Sequence, residues 1–576
     1  MYDRFPCVPA GSSDECLQGW PEIGQTIRGQ TRPGHLTVVE CYPGVFLEEV
    51  RRELAAALPD AAFIHTPDLF RPADEIDRML EPLLGDDPVF GRMNSIEMED
   101  FFDPSKRADA RRRCSNASAP TVILGPGASL VAPHADFLVY ADMARWEIQM
   151  RQRRNEIANL GAENFSERPS LKYKRSFFVD WRAADRLKSR LLDKIDLLLD
   201  TNLPNQPKAI SGHVLRRSLA AVVRRPFRVV PFFDPGPWGG HWMERVCGLP
   251  AGDNPNHAWC FDCVPEENSL LLAFGNRRVE IPSINVVLAH PESLLGSGIY
   301  ARFGAEFPIR FDFLDTMGGG NLSLQVHPLT AYIREHFGMD YTQDESYYLL
   351  DAAPGACVYL GLKEGIDRNA MLRDLERAQS GDFDFPAENY VNRFPARKHD
   401  HFLIPAGTVH CSGKDSMVLE ISATPYIFTF KLWDWGRLGL DGRPRPIHLQ
   451  HGAANIQWNR TTEWVRQSLV NRVQPLAGGD GWREERTGLH ELEFIEARRH
   501  WFTKTVPHDT AGSVNVLNLI EGEQAVVESP SGSFEPFVVN YAETFIVPAA
   551  VGPYTVRPCG PDRRRQYGTI RAQVRV

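Results

Sequence analysis

The chain has 576 residues, 43% hydrophobic and 24% charged. That is ordinary globular composition over more length than one hydrophobic core serves, which excludes both a single compact domain and a mostly disordered chain. Lys and Arg number 64 against 74 Asp and Glu, a formal net charge of −10, which argues against the basic surface that a nucleic-acid backbone requires. No apolar run reaches the roughly 18 residues of a membrane span. The start, MYDRFPCVPAGSSDECLQGW, lacks an apolar segment behind a basic one. The expectations are therefore no nucleic acid, no membrane and a cytoplasmic location. Ten cysteines are scattered, and the one tight pair, Cys260 and Cys263, has no second pair nearby to complete a zinc site, so they read as buried thiols.

In chain order, residues 1–34 read as an irregular lead-in. From Leu36 the run LTVVE, the turn CYPGV and the helical FLEEVRRELAAAL form a strand–turn–helix unit. AAFIHTPDLF alternates like a strand, EIDRMLEPLL is helical, and APTVILGPG and DFLVYADM read as buried strands, the second leading into the amphipathic helix ARWEIQMRQRRNEI. The alternation predicts a parallel α/β domain over 35–222. The Arg-rich runs ending near Arg113 and Arg154 are expected to coat water-facing helices. Beyond Arg225 the chain reads as short strands, among them NRRVEIPSINVVLAH, FPIRFDFLDT, LSLQVHP, SYYLLDA, ACVYLGL, HDHFLIPAGT, SMVLEIS and FTFKLWDW, interrupted by a helical insert, RNAMLRDLERAQ. Two β-barrels are expected, over 223–465 and 466–576.

On a strand, the alternation of NLSLQVHP places Gln325 and His327 on one face. Glu345 begins the next apolar strand, and His410 closes the segment DHFLIPAGTVH. Two imidazoles, a carboxylate and an amide oxygen suit a catalytic zinc better than a sulfur-rich structural site. Taken singly, each residue reads as a hydrogen-bonded core side chain.

These segments closely resemble the zinc-dependent class I phosphomannose isomerases, which are built from paired cupin barrels. The family's Q-V-H-P strand falls on Gln325, Val326, His327 and Pro328, its glutamate on Glu345, and its I-P-A-G-T-V-H signature on Ile404 to His410. GPWGG at 236–240, the stretches 290–315 and 348–366, and KLWDWGR at 431–437 follow in family order, so the resemblance spans about 225–576, the last barrel being metal-free. The resemblance implies one Zn²⁺ per chain held by Gln325, His327, Glu345 and His410, and interconversion of mannose 6-phosphate and fructose 6-phosphate through a cis-enediol. Lys431 stands where the family carries an arginine and is expected to stabilise the enediolate, while Lys363 in LGLKEG is expected to contact the substrate phosphate or to compensate for the lysine absent at 343, the alternative being a solvated loop charge. Three departures stand out: Gln343 where a lysine is usual, Lys431 for that arginine, and Leu329 and Thr330 for an acidic pair. They open two alternatives, a zinc cupin that binds or senses a sugar phosphate without turning it over, and an isomerase for another sugar phosphate. A homodimer is compatible with this reading.

Over 35–222 the segments ADFLVYADMARWEIQMR and YKRSFFVDWRAADR are loosely similar to late parts of uridine-kinase-like P-loop proteins. The phosphate loop's second glycine, lysine and hydroxyl residue are missing, since Phe46, Leu47, Glu48 and Glu49 follow Val45. Glutamates at a helix start repel phosphate. The expected architecture is thus a degenerate, P-loop-kinase-like α/β domain with a structural or dimerising role, followed by two cupin domains with a helical insert. The GPG at 125–127 reads as an ordinary turn.

Overall fold

The computed structural model describes residues 1–250, 256–381, 383–423, 426–488, 490–559 and 565–575. The chain folds into two compact units, an α/β unit of residues 7–222 and 266–290, and a β-rich unit of residues 1–6, 223–265 and 291–576. Among the described residues no helix is long and apolar enough to cross a membrane.

The α/β unit is built on β1 (Cys7–Gly11), β2 (Cys16–Gln18), β3 (Leu36–Cys41), β4 (Ala62–His65), β5 (Thr121–Gly125), β6 (Phe137–Asp142), β7 (Leu197–Asp200) and β8 (Lys208–Ser211). Seven of these form one sheet in the order β2-β8-β7-β6-β3-β5-β4. The five strands from β4 to β7 run parallel, while β8 and β2 pair antiparallel at one edge. β5 is buried along its whole length, as a parallel strand covered on both faces must be, which is why its sequence lacks alternation. The helix α2 (Leu47–Ala57) after β3 buries Val50 and Leu54, its i and i+4 positions.

Three expectations fail in this unit. The stretch read as an irregular lead-in contains β1, β2 and the helix α1 (Gly19–Gln30), which buries Trp20, Ile23, Gly24 and Ile27; its apolar spacing was helical, and the Gly and Pro around it hid that. NRRVEIPSINVVLAH is not a strand of the β half. It supplies the strand Arg277–Pro282 and the helix Ile284–Ala289 to the α/β unit. The strand Ser269–Phe274 pairs with β1 on one side and Arg277–Pro282 on the other. Finally, Arg151 is not a solvated helix charge. It is fully buried, pairs with Glu147 at 3.1 Å, and donates to the carbonyls of Gly44, Thr201 and Asn202 at 3.0, 2.9 and 3.1 Å.

Arg151 belongs to a wider set of buried charges. Arg145 donates to Asp185 and Glu266 with its guanidinium 4.8 Å from the Trp181 ring, and Lys188 donates to Asp142 at 2.8 Å and Asn285 at 3.0 Å. At the GPG turn the buried Glu40 carboxylate accepts from the N–H groups of Gly127 and Ser129 at 2.6 and 2.8 Å. Burial raises the Glu40 pKa to about 7 against these bonds, and its carboxyl group thus occupies backbone donors of the kind that bind phosphate elsewhere.

The β-rich unit contains two pairs of sheets. In the first pair, a six-stranded sheet runs His401–Ile404, Glu345–Ala352, Ser416–Ser422, Arg310–Asp315, Trp259–Cys263, Phe232–Asp234, and a five-stranded one runs Val391–Pro395, Cys357–Leu362, His410–Ser412, Leu324–Val326, Phe430–Trp433. The expected helical insert forms at Arg368–Gln379, capped by the Asp367 carboxylate on the N–H groups of Asn369 and Ala370. In the second pair, six strands and four strands share one core, in which Leu517, Phe545 and Tyr567 from the larger sheet meet Val506, Val527 and Val556 from the smaller. Cys260 and Cys263 are buried free thiols.

Removing one partner from a buried ion network leaves the others desolvated and uncompensated. Arg145→Ala is expected to lower the unfolding free energy by about 3–5 kcal/mol, read from urea denaturation; unchanged stability would show that the network carries no net energy.

Candidate metal centre

Strand pairing builds the centre. Gln325 lies opposite His410 on one neighbouring strand and opposite Lys431 on the other. Residues directly opposite each other in an antiparallel pair share a face, so Lys431, Gln325 and His410 form one row on the five-stranded sheet. On the six-stranded sheet Glu345, Ser422 and Arg310 form a row, and Tyr347, Glu420 and Asp312 form the next. The rows meet at Glu345. Its Oε2 lies 2.9 Å from Nε2 of His327 and 2.9 Å from Nε2 of His410, and the Gln325 amide lies 3.3 Å from His410 Nε2. His327, Glu345 and His410 are essentially inaccessible to solvent.

The turn that delivers His410 depends on Gly407. Its φ of +87° is left-handed, and a Cβ there would meet the Asn455 carbonyl at 2.9 Å. Its own N–H donates to the His327 carbonyl at 2.9 Å, tying the P-A-G turn to the opposing histidine.

The far ring nitrogens decide what the cluster holds. His327 Nδ1 lies 2.8 Å from the Phe428 carbonyl and His410 Nδ1 lies 2.8 Å from the Thr408 carbonyl. A carbonyl only accepts, so both Nδ1 atoms carry hydrogen, and in the neutral rings both Nε2 atoms present lone pairs to a carboxylate oxygen. Three acceptors facing one point need either a second proton on each ring or a cation between them. Burial pushes the His410 pKa down, against the opposing pull of Glu345, which disfavours the second proton. For Glu345, burial acts to raise the pKa, and only positive charge at His327 and His410 lowers it, so the carboxylate is stable here with positive charge at the cluster, carried by the rings or by a cation. The donor set of two imidazoles and a carboxylate therefore fits a metal ion.

Other expected residues fall as follows. Lys431 is half-buried, and its amine is pushed down to about 7 by burial, with Arg445 and Arg437 acting in the same direction against Asp434. Asp434 is itself taken up by Arg437 at 2.7 Å, Arg445 at 3.0 Å and Ser323 at 2.8 Å. Lys363 stands exposed just after the strand Cys357–Leu362, and its backbone N–H donates to the Tyr390 carbonyl. Gln343 is buried, and its Oε1 accepts from the Phe428 N–H at 2.9 Å. Of the aromatics near the ligand motif, Tyr347 faces the cluster with its ring 5.8 Å from His410. Tyr348 instead bonds His399, and Tyr341 bonds Glu306.

Sequence reasoning missed Glu420. It is buried, accepts from Ser422 Oγ at 2.7 Å, and shares the inward face with Glu345. Burial and the neighbouring Glu345 and Asp312 charges raise its pKa well above the ordinary value. The signal was present in SMVLEIS, where one ionisable residue interrupts an otherwise uncharged strand.

Residues 19–224 match a family described as "Domain of unknown function (DUF8485)". A mannose-6-phosphate isomerase of Streptococcus mutans serotype c is 27% identical over 215 residues, 37% of this chain and 62% of that protein. One of Bacillus subtilis is 29% identical over 232 residues, 40% of this chain and 68% of its own. The chain thus matches about two thirds of the length of these two relatives. The crystal structure of mannose 6-phosphate isomerase from Bacillus subtilis covers 61% of this chain and 99% of its own at 17% identity, with a TM-score of 0.49.

The cluster predicts one tight divalent ion per chain. His410→Ala and Glu345→Ala are each expected to abolish stoichiometric metal in the dialysed protein, measured by elemental analysis, whereas Tyr348→Phe, on the opposite face of the same strand, leaves it intact.

Proposed function

We propose that the β-rich unit is a zinc-dependent aldose–ketose isomerase that interconverts mannose 6-phosphate and fructose 6-phosphate through a cis-enediol. The observation that carries this is the convergence of two imidazole nitrogens on the Glu345 carboxylate beside a second carboxyl group, Glu420, with Lys431 opposite Gln325 in the row that also holds His410. The names of the relatives supply the substrate class. A zinc ion held by Gln325, His327, Glu345 and His410 would supply Lewis acidity toward the sugar's C1 and C2 oxygens.

The chain's own groups carry the proton. Glu420 takes the C2 proton of the aldose and returns it to C1, while the hydroxyl proton passes from O2 to O1, so that no atom is gained or lost. Burial is the first cause of the raised Glu420 pKa and the Glu345 charge the second, so a cation held by Glu345 would oppose the second cause and favour the carboxylate form. Lys431, in its ammonium form, offsets the negative charge that develops on the enediolate oxygens. Burial excludes bulk water, which strengthens both effects. Lys363 lies three residues beyond Leu360, the residue opposite His410. That is roughly 10 Å along the strand at about 3.3 Å per residue, and we assign it to the substrate phosphate.

A second reading is favoured by one observation. Gln343 spends its acceptor on backbone and brings no charge to the site, so the protein would bind a sugar phosphate without turning it over. For the α/β unit we propose a kinase-like domain without nucleotide chemistry: Glu40 fills the donors of the GPG turn, and Glu48 and Glu49 open the helix after β3.

The purified protein with zinc is expected to form fructose 6-phosphate from mannose 6-phosphate. A chelator or His327→Ala should abolish the reaction, and Glu420→Gln should lower kcat by about 10²–10⁴. Zinc-loaded protein that binds the sugar phosphate without turnover would support the second reading. Lys431 also sets a pH limit. Its folded pKa is depressed to about 7, so the charged form is present below that value and lost above it. The rate is expected to fall on the alkaline side of pH 7, and Lys431→Arg, which stays protonated, should move that limb upward.

A further inference from the structure

His327 is held by more than its own hydrogen bond. Its Nδ1–H donates to the Phe428 carbonyl at 2.8 Å, and the N–H of the same residue donates to Gln343 Oε1 at 2.9 Å. Gln343, two residues before Glu345, is buried at 2% exposure, as is Phe428 at 0%. Two short bonds therefore run in series from the Gln343 amide through residue 428 to the histidine ring. The Phe428 ring packs on Phe337 with centroids 5.2 Å apart and on Tyr426 at 5.6 Å, which fixes the side chain but does not satisfy its backbone donor.

We propose that Gln343 is a positioning residue for metal binding, one that orients His327 by anchoring the Phe428 backbone. The chemistry at position 343 is acceptor chemistry. Lysine has donors only and could not accept from the Phe428 N–H, so the 2.9 Å bond to that backbone would be lost. The glutamine accordingly has a role of its own, in which the irregular segment just ahead of Glu345's strand supports the histidine facing it. Groups that orient a ligating histidine typically change metal affinity by about 10–100-fold when removed.

This inference rests on the metal role of His327, and the test separates the two. Zinc affinity of the full chain is measured by competition with a chromophoric chelator for the wild type, Gln343→Met, Gln343→Lys and Gln343→Glu. The expected result is a loss of about tenfold or more for Met and Lys, which lack the acceptor, and near wild-type affinity for Glu, which keeps one. Nitrogen-15 histidine spectra of the metal-free proteins supply a second readout: one His327 tautomer, hydrogen on Nδ1, in the wild type and Glu variant, and a mixture in the Met variant. Equal zinc affinity in all four proteins, with the His327 tautomer unchanged, would overturn the positioning role while leaving the metal centre standing. A wild type that binds no zinc would overturn both.

Discussion

The β-rich unit turns on one electrostatic constraint, the meeting of the Glu345 carboxylate with two imidazole nitrogens whose opposite ring positions are tied to backbone carbonyls. That arrangement is unfavourable for neutral rings and becomes favourable only with positive charge between them. The surrounding fold is arranged to hold this contact. Gly407 bends the chain that delivers His410, the row through Gln325 sets the spacing across one sheet, and the facing sheet brings Glu345 in from the other side. Each of these features is local and weak in isolation. Together they remove the freedom of the ligands to turn away, so the cost of organising the centre is met on folding rather than on binding.

The residues of the cluster were legible in the sequence because they sit in short segments with unusual composition: Gln-Val-His-Pro on one strand and a turn Pro-Ala-Gly ahead of a histidine. Glu420 was not, and the reason is physical. Its strand is buried on both faces, so alternation carries no information about which side chains look inward; the lone ionisable residue of SMVLEIS marks the position, and pairing with Glu345's strand shows the face it shares. The environment of Gln343 was illegible for a similar reason, since its partner lies 85 residues away. The role of Lys431 was approachable from its position in the chain, but the depression of its amine depends on Arg445 and Arg437 brought near by folding.

The α/β unit was legible in its alternation of strands and helices and obscure in its charges. Arginines in a run such as RQRR satisfy every sequence criterion for a water-facing helix, yet Arg151 turns inward because carbonyls at Gly44, Thr201 and Asn202 await a donor. Glu40 behaves likewise, a carboxylate inside a strand that makes sense only once the GPG turn offers it two N–H groups. Glu147, at i−4, is the one partner of Arg151 that the sequence displays; the remaining bonds in both cases go to backbone, which leaves no trace in residue identity.

The hairpin Ser269–Pro282 gives the molecule a different kind of constraint. It belongs to the α/β unit, where β1 is its parallel partner, yet in the chain it follows residues 223–265 of the β-rich unit. The two units are therefore threaded through one another in the covalent order, like text with a sentence moved to another chapter. A nick or gene boundary placed after residue 222 would not separate two autonomous pieces. The first would lack two of the three strands of its smaller sheet, and the second would carry a hairpin whose Leu270, Leu272, Val279 and Ile281 have lost the neighbours that bury them. A cut that respects the packing would have to carry residues 266–290 along with residues 7–222.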